Sequence, residues 1–313
     1  MAVGLRLAEL AELATPARLQ KLRRGMVPAA AVLAFFVFLL ATFPYDMIGH
    51  RIEAEAARAG VELTIGSIGG RGLIGVRARD VRARVPGAPG EPVTELRFDR
   101  VDVSPDLFAL LFRRTSFGFA LQAYGSSAKG HAALSSDPKL PGLSSLRLDA
   151  PDLDVKSLPL KELAGVEGSG RASLKVDVTS LQPADAATGA LSLTGRQLGV
   201  AGGNLRGFPL PRTLLGDVDA QVTIDKGLAR IDRAQARGGD LEADADGNVR
   251  LRPLVSLSQA DLHVRFRPGD RWLNDNGLIK SALGLVQTAH QPDGSYVFSF
   301  TGPLSHLNSR PGR

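Results

Sequence analysis

Residues 218–227 read VDAQVTIDKG, and this stretch decides the fold. Val218, Ala220, Val222 and Ile224 recur at every second position, which puts them on one face of an extended strand. A helix would need a period near 3.6. Lys226-Gly227 then closes the run with a dipeptide of the tight-hairpin sort.

The same alternation recurs on both sides. Downstream lie Leu241, Ala243 and Ala245; Val249 and Leu251; Leu262, Val264 and Phe266; and Tyr296, Phe298 and Phe300. Upstream lie Leu191 and Leu193; Leu174, Val176 and Val178; and Leu146 and Leu148. Gly168, Gly189, Gly216, Gly227, Gly247 and Gly294 punctuate these runs, with Asp246-Gly247 and Asp293-Gly294 as further turn dipeptides. Several intervals are near 20 residues, the length of a hairpin. One helix is expected over Trp272 to Gln287, with Leu278, Leu283 and Val286 apolar.

Closer to the N-terminus, Val61, Leu63 and Ile65 alternate. So do Val76 and Ala78, then Val81, Ala83 and Val85, against Arg77, Arg79, Arg82 and Arg84. The slip between Ala78 and Val81 predicts a bulge, and the arginines read as a solvated outer face. A turn at 86–90 leads to Leu96, Phe98, Val101 and Val103. A short apolar helix from Pro105 to Phe112 precedes the alternating Phe117, Phe119, Leu121 and Ala123. Before all of these, Ile48, Ile52 and Ala56 form the apolar stripe of a helix over 44–60. Its solvent side carries Arg51, Glu53, Glu55 and Arg58, and Gly60 stands at its C-cap.

Each strand thus has one apolar face of mostly Leu, Val, Ile and Ala. Such a face must be covered by a second layer, by curling of the sheet or by lipid. Leu174, Val176, Val178, Val222, Ile224, Leu262, Val264 and Phe298 are expected to share one interior.

Residues 26–43, MVPAAAVLAFFVFLLATF, hold 18 residues without a charge. Helical, they reach about 27 Å, enough for a bilayer core, with Met26, Val32, Phe35, Phe36, Phe38, Leu40 and Phe43 in the span. Lys21, Arg23 and Arg24 stand just before it and place the N-terminus in the cytoplasm by the positive-inside rule. A cleaved signal peptide and a buried helix are the alternatives. Leu5, Leu7, Leu10, Leu13 and Leu19 suggest an amphipathic stretch on the cytoplasmic leaflet. The expected organisation is a tail over 1–25, a span over 26–43, a membrane-proximal helix over 44–60, a periplasmic β-rich domain over 61–304 and a disordered tail over 305–313.

Composition restricts the chemistry. The formal charge is +6, but residues 1–25 hold five basic against two acidic groups, or +3, which leaves +3 for the other 288 residues. No basic face or recognition module for nucleic acid stands out. With no cysteine in the chain, thiolate metal sites and cysteine nucleophiles are excluded. His50, His131, His263, His290 and His306 are scattered, without an HExxH. Gly168-Ser169-Gly170 begins like a dinucleotide fingerprint, but a strand follows it. Asp149, Asp152 and Asp154, and the row Asp240, Glu242, Asp244 and Asp246, offer carboxylates for calcium or acid–base work. The simpler reading is the solvated side of a strand. No catalytic, cofactor or metal site is expected.

The order of parts resembles the N-terminal region of the AsmA-like envelope proteins, and more closely the long form of the type II secretion protein N family. The stretches that carry it are Phe43-Pro44-Tyr45-Asp46, Gly60-Val61-Glu62-Leu63, the helix at 104–111, and Leu158-Pro159-Leu160 before Gly168-Ser169-Gly170. Gly239-Asp240-Leu241-Glu242 through Asp246-Gly247-Asn248-Val249, before Ser258-Gln259-Ala260-Asp261-Leu262, completes them. The likeness runs over about residues 26–304. It implies a mainly β fold: an N-terminal transmembrane helix, then a curled, largely antiparallel sheet forming a groove or sandwich, with a few short helices. It further implies a non-enzymatic inner-membrane accessory subunit of type II secretion, with other secretion-system subunits as partners. The alternative is a groove that binds phospholipid.

Overall fold

Lys226 and Gly227 both take positive φ, 46° and 72°. That is the backbone of a two-residue hairpin turn whose twist matches its strands. It joins β10 (Thr213–Asp225) to β11 (Leu228–Gly238), which pair antiparallel. Tyr124 and Gly125, at 53° and 70°, do the same between β4 (Ser116–Ala123) and β5 (Ser126–Leu134).

The computed structural model describes the chain from Tyr45 onward, except residues 59–61, 73–74, 86–93, 107–108, 110–111, 113–114, 136–141, 182, 206–207, 253–256 and 313. The expected tail and span, with Lys21, Arg23, Arg24 and the span residues from Met26 to Phe43, lie outside the described residues. Among those described, no helix is long and apolar enough to cross a membrane. The chain divides into Met1–Ile48 and Gly49–Arg313, and the sheet belongs wholly to the second unit.

The remaining strands are β1 (Glu62–Arg71), β2 (Gly75–Val85), β3 (Thr94–Pro105), β6 (Leu143–Asp154), β7 (Val166–Thr179), β8 (Thr188–Leu205), β9 (Phe208–Leu210), β12 (Leu241–Arg250), β13 (Gln259–Pro268), β14 (Tyr296–Pro303) and β15 (Asn308–Pro311). All fifteen belong to one sheet in sequence order, with β9 as a side arm on β8. Every pairing is antiparallel. The path ends at β1 and β15 and does not close. A second sheet, which a sandwich needs, is not found among the described residues. Short helices accompany the sheet, among them α1 (Tyr45–Arg58), α2 (Leu160–Ala164), α3 (Asp270–Asp275) and α4 (Gly277–Leu285).

Several expectations from sequence change here. Residues 308–311 are not a disordered tail: they form β15, paired residue for residue with β14 from Phe298 to Thr301. Asp246-Gly247 is not a turn but lies inside β12, with Gly247 between Ile231 and Leu262. A Cβ at Gly247 would collide with the backbone of Asp261, so the glycine serves close approach of strands. The helix over 272–287 breaks at Asn276, whose φ of −122° and ψ of 66° are not helical. Of the stripe expected on α1, Ile52 is exposed and Ala56 half-buried, the Ile48 side chain lying outside the described residues, while Glu53 turns inward and accepts a hydrogen bond from the Ile65 amide at 2.8 Å. The helix expected over 105–112 loses its first residue, since Pro105 ends β3, while Ala109 is helical and donates its amide to the Asp106 carboxylate at 3.3 Å.

The bulge expected between Ala78 and Val81 is not found: the register of β2 with β1 and with β3 does not shift there, and the strands instead change sides together. Asp80 has φ 51°, and Ala78 and Val81 both point to the apolar side. Val101 and Phe98 face those two residues directly, so β3 makes the same switch of sides.

Candidate functional site

Pairing register extends the alternation of each strand into a continuous surface. One row of opposed residues crosses every strand of the path: Gly70, Val76, Val103, Phe119, Gly130, Leu148, Val176, Leu191, Val222, Ile231, Gly247, Leu262, Phe300 and Ser309. At the usual strand spacing this row runs about 60 Å along the hydrogen-bonding direction. Leu174, opposite Leu193, and Val178, opposite Gly189 and through it Ile224, lie two residues to either side on the same face. Val264 faces Phe298 in the parallel row beside Leu262. All eight residues expected in a shared interior therefore project to one side of one sheet. Phe266 stacks on Tyr296 at 5.7 Å and on Phe298 at 6.0 Å, giving this face an aromatic end.

The face is only partly covered. Its fully buried apolar members are mostly alanines, such as Ala132, Ala150, Ala236 and Ala260, with Val81 and Val178. Among the described residues, the largest side chains below 2% exposure are Ser258 and Ser295. A sealed core of this length would bury its leucines and phenylalanines to that degree.

The face deepens into a cavity of about 290 Å³ where the β6–β7 connection returns over it. Leu96 and Phe98 enter from β3, Leu121 and Ala123 from β4, Ala128 from β5 and Leu153 from β6. Leu158, Pro159 and Leu160 form the wall opposite. That wall is fixed by local structure. Gly165 takes φ 71° to end α2, and its amide reaches the Lys161 carbonyl at 3.0 Å. Beneath α2, a Cβ at Gly168 would come within 2.6 Å of the Leu160 and Val155 side chains, so glycine lets both pack down onto β7 without shifting. Nearly all of the lining is carbon. The sequence marked Leu158-Pro159-Leu160 as a feature but did not tie it to Leu121, Ala128 and Leu153. The signal was an apolar tripeptide in a loop otherwise rich in charge.

The opposite face is a lattice of ion pairs. Asp102, 5% exposed, takes the Arg77 guanidinium at 2.6 and 3.2 Å, with Arg71 at 3.4 Å. The Arg77 hydrogen bond leads in holding the Asp102 carboxyl below the usual carboxylate range. Of the arginine row, Arg84 meets Glu95 at 3.2 Å. Arg147 meets Asp177 and Arg171 meets Asp152, at 2.7 and 3.0 Å.

Of the acidic groups singled out in the sequence, Asp152, Glu242 and Asp244 are ion-paired in this lattice. Glu242 binds Arg267 at 2.6 Å, Asp244 binds Arg237, and Asp240 accepts the Leu214 amide at 2.7 Å. Asp154 receives the Ser157 hydroxyl at 2.8 Å, and Asp149 lies between Lys129 and Lys175 of the neighbouring strands. Among the described residues no group of three or more His, Asp or Glu side chains could hold a metal ion. The histidines do not converge: His50 pairs with Glu53 at 3.4 Å, and His290 packs edge-on to Tyr296. A larger depression of about 650 Å³ includes Asp152, Arg171, Arg196, Asp217 and Asp219, where Arg171 and Asp152 satisfy each other. Most charge is paired on one side of the sheet, with Asp149 Oδ1 and Asp219 Oδ1 buried without a partner, and apolar surface lies partly uncovered on the other.

The class this defines is an open antiparallel β-sheet with one aliphatic face and one ion-paired face. No family model, curated protein or solved structure matches the chain.

Proposed function

We propose that the Gly49–Arg313 unit is a lipid-holding groove, its aliphatic face curled around the acyl chains of bound phospholipid. The observation that carries this reading is the apolar row that crosses every strand of the path while its large side chains remain partly exposed. Apolar surface favours an apolar environment by about 25 cal/mol per Å², so a partly covered face of this length favours an occupant. The occupant must be apolar as well, because a polar group buried against carbon without a hydrogen-bond partner costs about 1–3 kcal/mol. An acyl chain meets that condition along its whole length and a peptide backbone does not. The role is non-catalytic and needs no metal. Nucleic acid finds no partner in a face without charge. In this reading residues 26–43 anchor the protein in the inner membrane and the sheet stands in the periplasm.

The accessory role in type II secretion, with other secretion-system subunits as partners, rests on the resemblance, and the same experiment addresses it. The full-length chain is purified in mild detergent and its organic extract examined by mass spectrometry, for the native protein and for Ala128→Phe, which fills the cavity from β5. Phospholipid is expected with the native chain and several-fold less with the variant, at nearly unchanged melting temperature. A native chain without lipid, or a folded variant with undiminished lipid, refutes the groove. If secretion fails in cells while lipid content holds, the function belongs to the secretion partners instead.

A further inference from the structure

The connection from β13 to β14 carries α3 and α4. The first is pinned to the sheet: the Trp272 indole N–H lies 3.2 Å from the Thr213 hydroxyl and 3.3 Å from the Arg212 carbonyl. The second presents apolar side chains to solvent. Leu278 is 79% exposed and Leu285 88%, the two most exposed large apolar side chains among the described residues. Seven residues apart, they share one side of the helix about 10 Å from each other. Ser281 and Ala282 lie between them on that side. Lys280 points elsewhere, its ammonium 2.9 Å from the Asn274 side-chain carbonyl.

We infer that α4 is a bilayer contact, with Leu278 and Leu285 entering the interfacial layer of a lipid membrane. Three observations select a bilayer over a protein partner. The patch is two leucines and an alanine, far short of the roughly 800 Å² per partner of a stable protein interface. A fluid lipid surface asks for no complementary shape. Beside α3 the charges balance, Arg212 and Arg271 against Asp240 and Asp275, and α4 itself carries only Lys280, so no strong field draws an acidic or basic macromolecule. Finally, the apolar run 26–43 ends just before α1. If it crosses a membrane, as read above, it keeps lipid at high effective concentration, and a two-leucine contact suffices.

The absence of cysteine gives a clean background for the test. Leu278→Cys, Leu285→Cys and, as a control on the ion-paired face, Lys175→Cys each receive an environment-sensitive dye. The full-length chain is reconstituted in phosphatidylcholine vesicles with brominated acyl chains. The dyes at 278 and 285 should shift to the blue and be quenched, and the control should not. Because no strong local field exists, anionic lipid or high salt should change little. Adding Leu285→Asp should lower the bound-to-free ratio reported at 278 by about tenfold to a hundredfold, the worth of one leucine. Unchanged Trp272 emission shows that the fold is kept. Dyes at 278 and 285 as water-exposed as the control overturn the inference. A blue shift without quenching that grows with protein concentration overturns it in favour of a second copy of the chain. Phospholipid measured in the same samples reports on the groove separately.

Discussion

Val222→Arg separates an open aliphatic face from a sealed interior. Val222 lies mid-row between Leu191 and Ile231 and is half-buried. Fully burying a valine is worth about 1.5–3 kcal/mol, so about half of that is at stake. The arginine stem covers part of the same surface while its guanidinium reaches water from an open face, which leaves a loss of about 1 kcal/mol. For a unit of this size that lowers the melting temperature by about 2–4 °C. In a sealed interior the same unpaired charge would cost several kcal/mol, comparable with a domain's whole stability of about 5–15 kcal/mol. Thermal unfolding followed by Trp272 fluorescence distinguishes the two outcomes, and phospholipid content is measured on the same preparation. A folded variant, a few degrees less stable and depleted of lipid, is expected. Unfolding would refute the open face. A folded variant with its full complement of lipid would refute the placement of Val222 on the occupied side.

Asp102→Asn should cost about 2 kcal/mol in chemical denaturation, because it strips a nearly buried carboxylate from the Arg77 and Arg71 guanidiniums. Arg171→Ala, removing an ion pair with Asp152 that is exposed on both sides, should cost less than about 1 kcal/mol. Equal losses would show that burial does not grade this lattice. Asp293 is held at about 2, first by the Ser295 hydroxyl, then by the Ser295 amide, with Arg265 adding to them. An unfolded aspartate titrates near 3.9, so this stabilisation is complete above about pH 4 and is lost as pH falls through about 2. Asp293→Asn should therefore flatten the acid limb of the stability curve in that window, and an identical limb would contradict the assignment.

The period of two was legible because each strand keeps one wet and one dry face, so Val222, Ile224, Leu174 and Val264 could be placed from their neighbours alone. The change of sides at Asp80 was legible for the same reason, although it is not the expected bulge, since the register there is unbroken. Glycine misled where it serves two purposes. Gly227 allows a positive φ in a turn, whereas Gly247 makes room for the Asp261 backbone in mid-strand, and both read as the same Asx/Lys-Gly signal. The strand at 308–311 was hidden because Asn308, Ser309 and Arg310 carry no apolar alternation. It forms by pairing with β14 at the rim, where neither face needs to be dry. The cavity could not be read at all. Leu96, Leu121, Ala128, Leu153 and Leu158 are brought together by register across four strands and a connection, and no local pattern encodes that.

The two edges of the path bear on what the sheet can bind. An unclosed sheet offers unpaired amides and carbonyls at its first and last strands, and another strand can add there. On β1 the Glu53 carboxylate of α1 takes the Ile65 amide at 2.8 Å, occupying a donor that an incoming strand would need. At the other end β15 is only four residues long and finishes at Pro311, which has no amide hydrogen to give, beside the charged Arg310. Both edges are thus poor templates for strand addition, while the aliphatic face between them stays partly uncovered. A partner that binds through backbone hydrogen bonds is disfavoured at the edges and unsatisfied on the face. An acyl chain, which needs no hydrogen bond, is disfavoured at neither. The treatment of the edges therefore argues for the same occupant as the composition of the face, from a different set of residues.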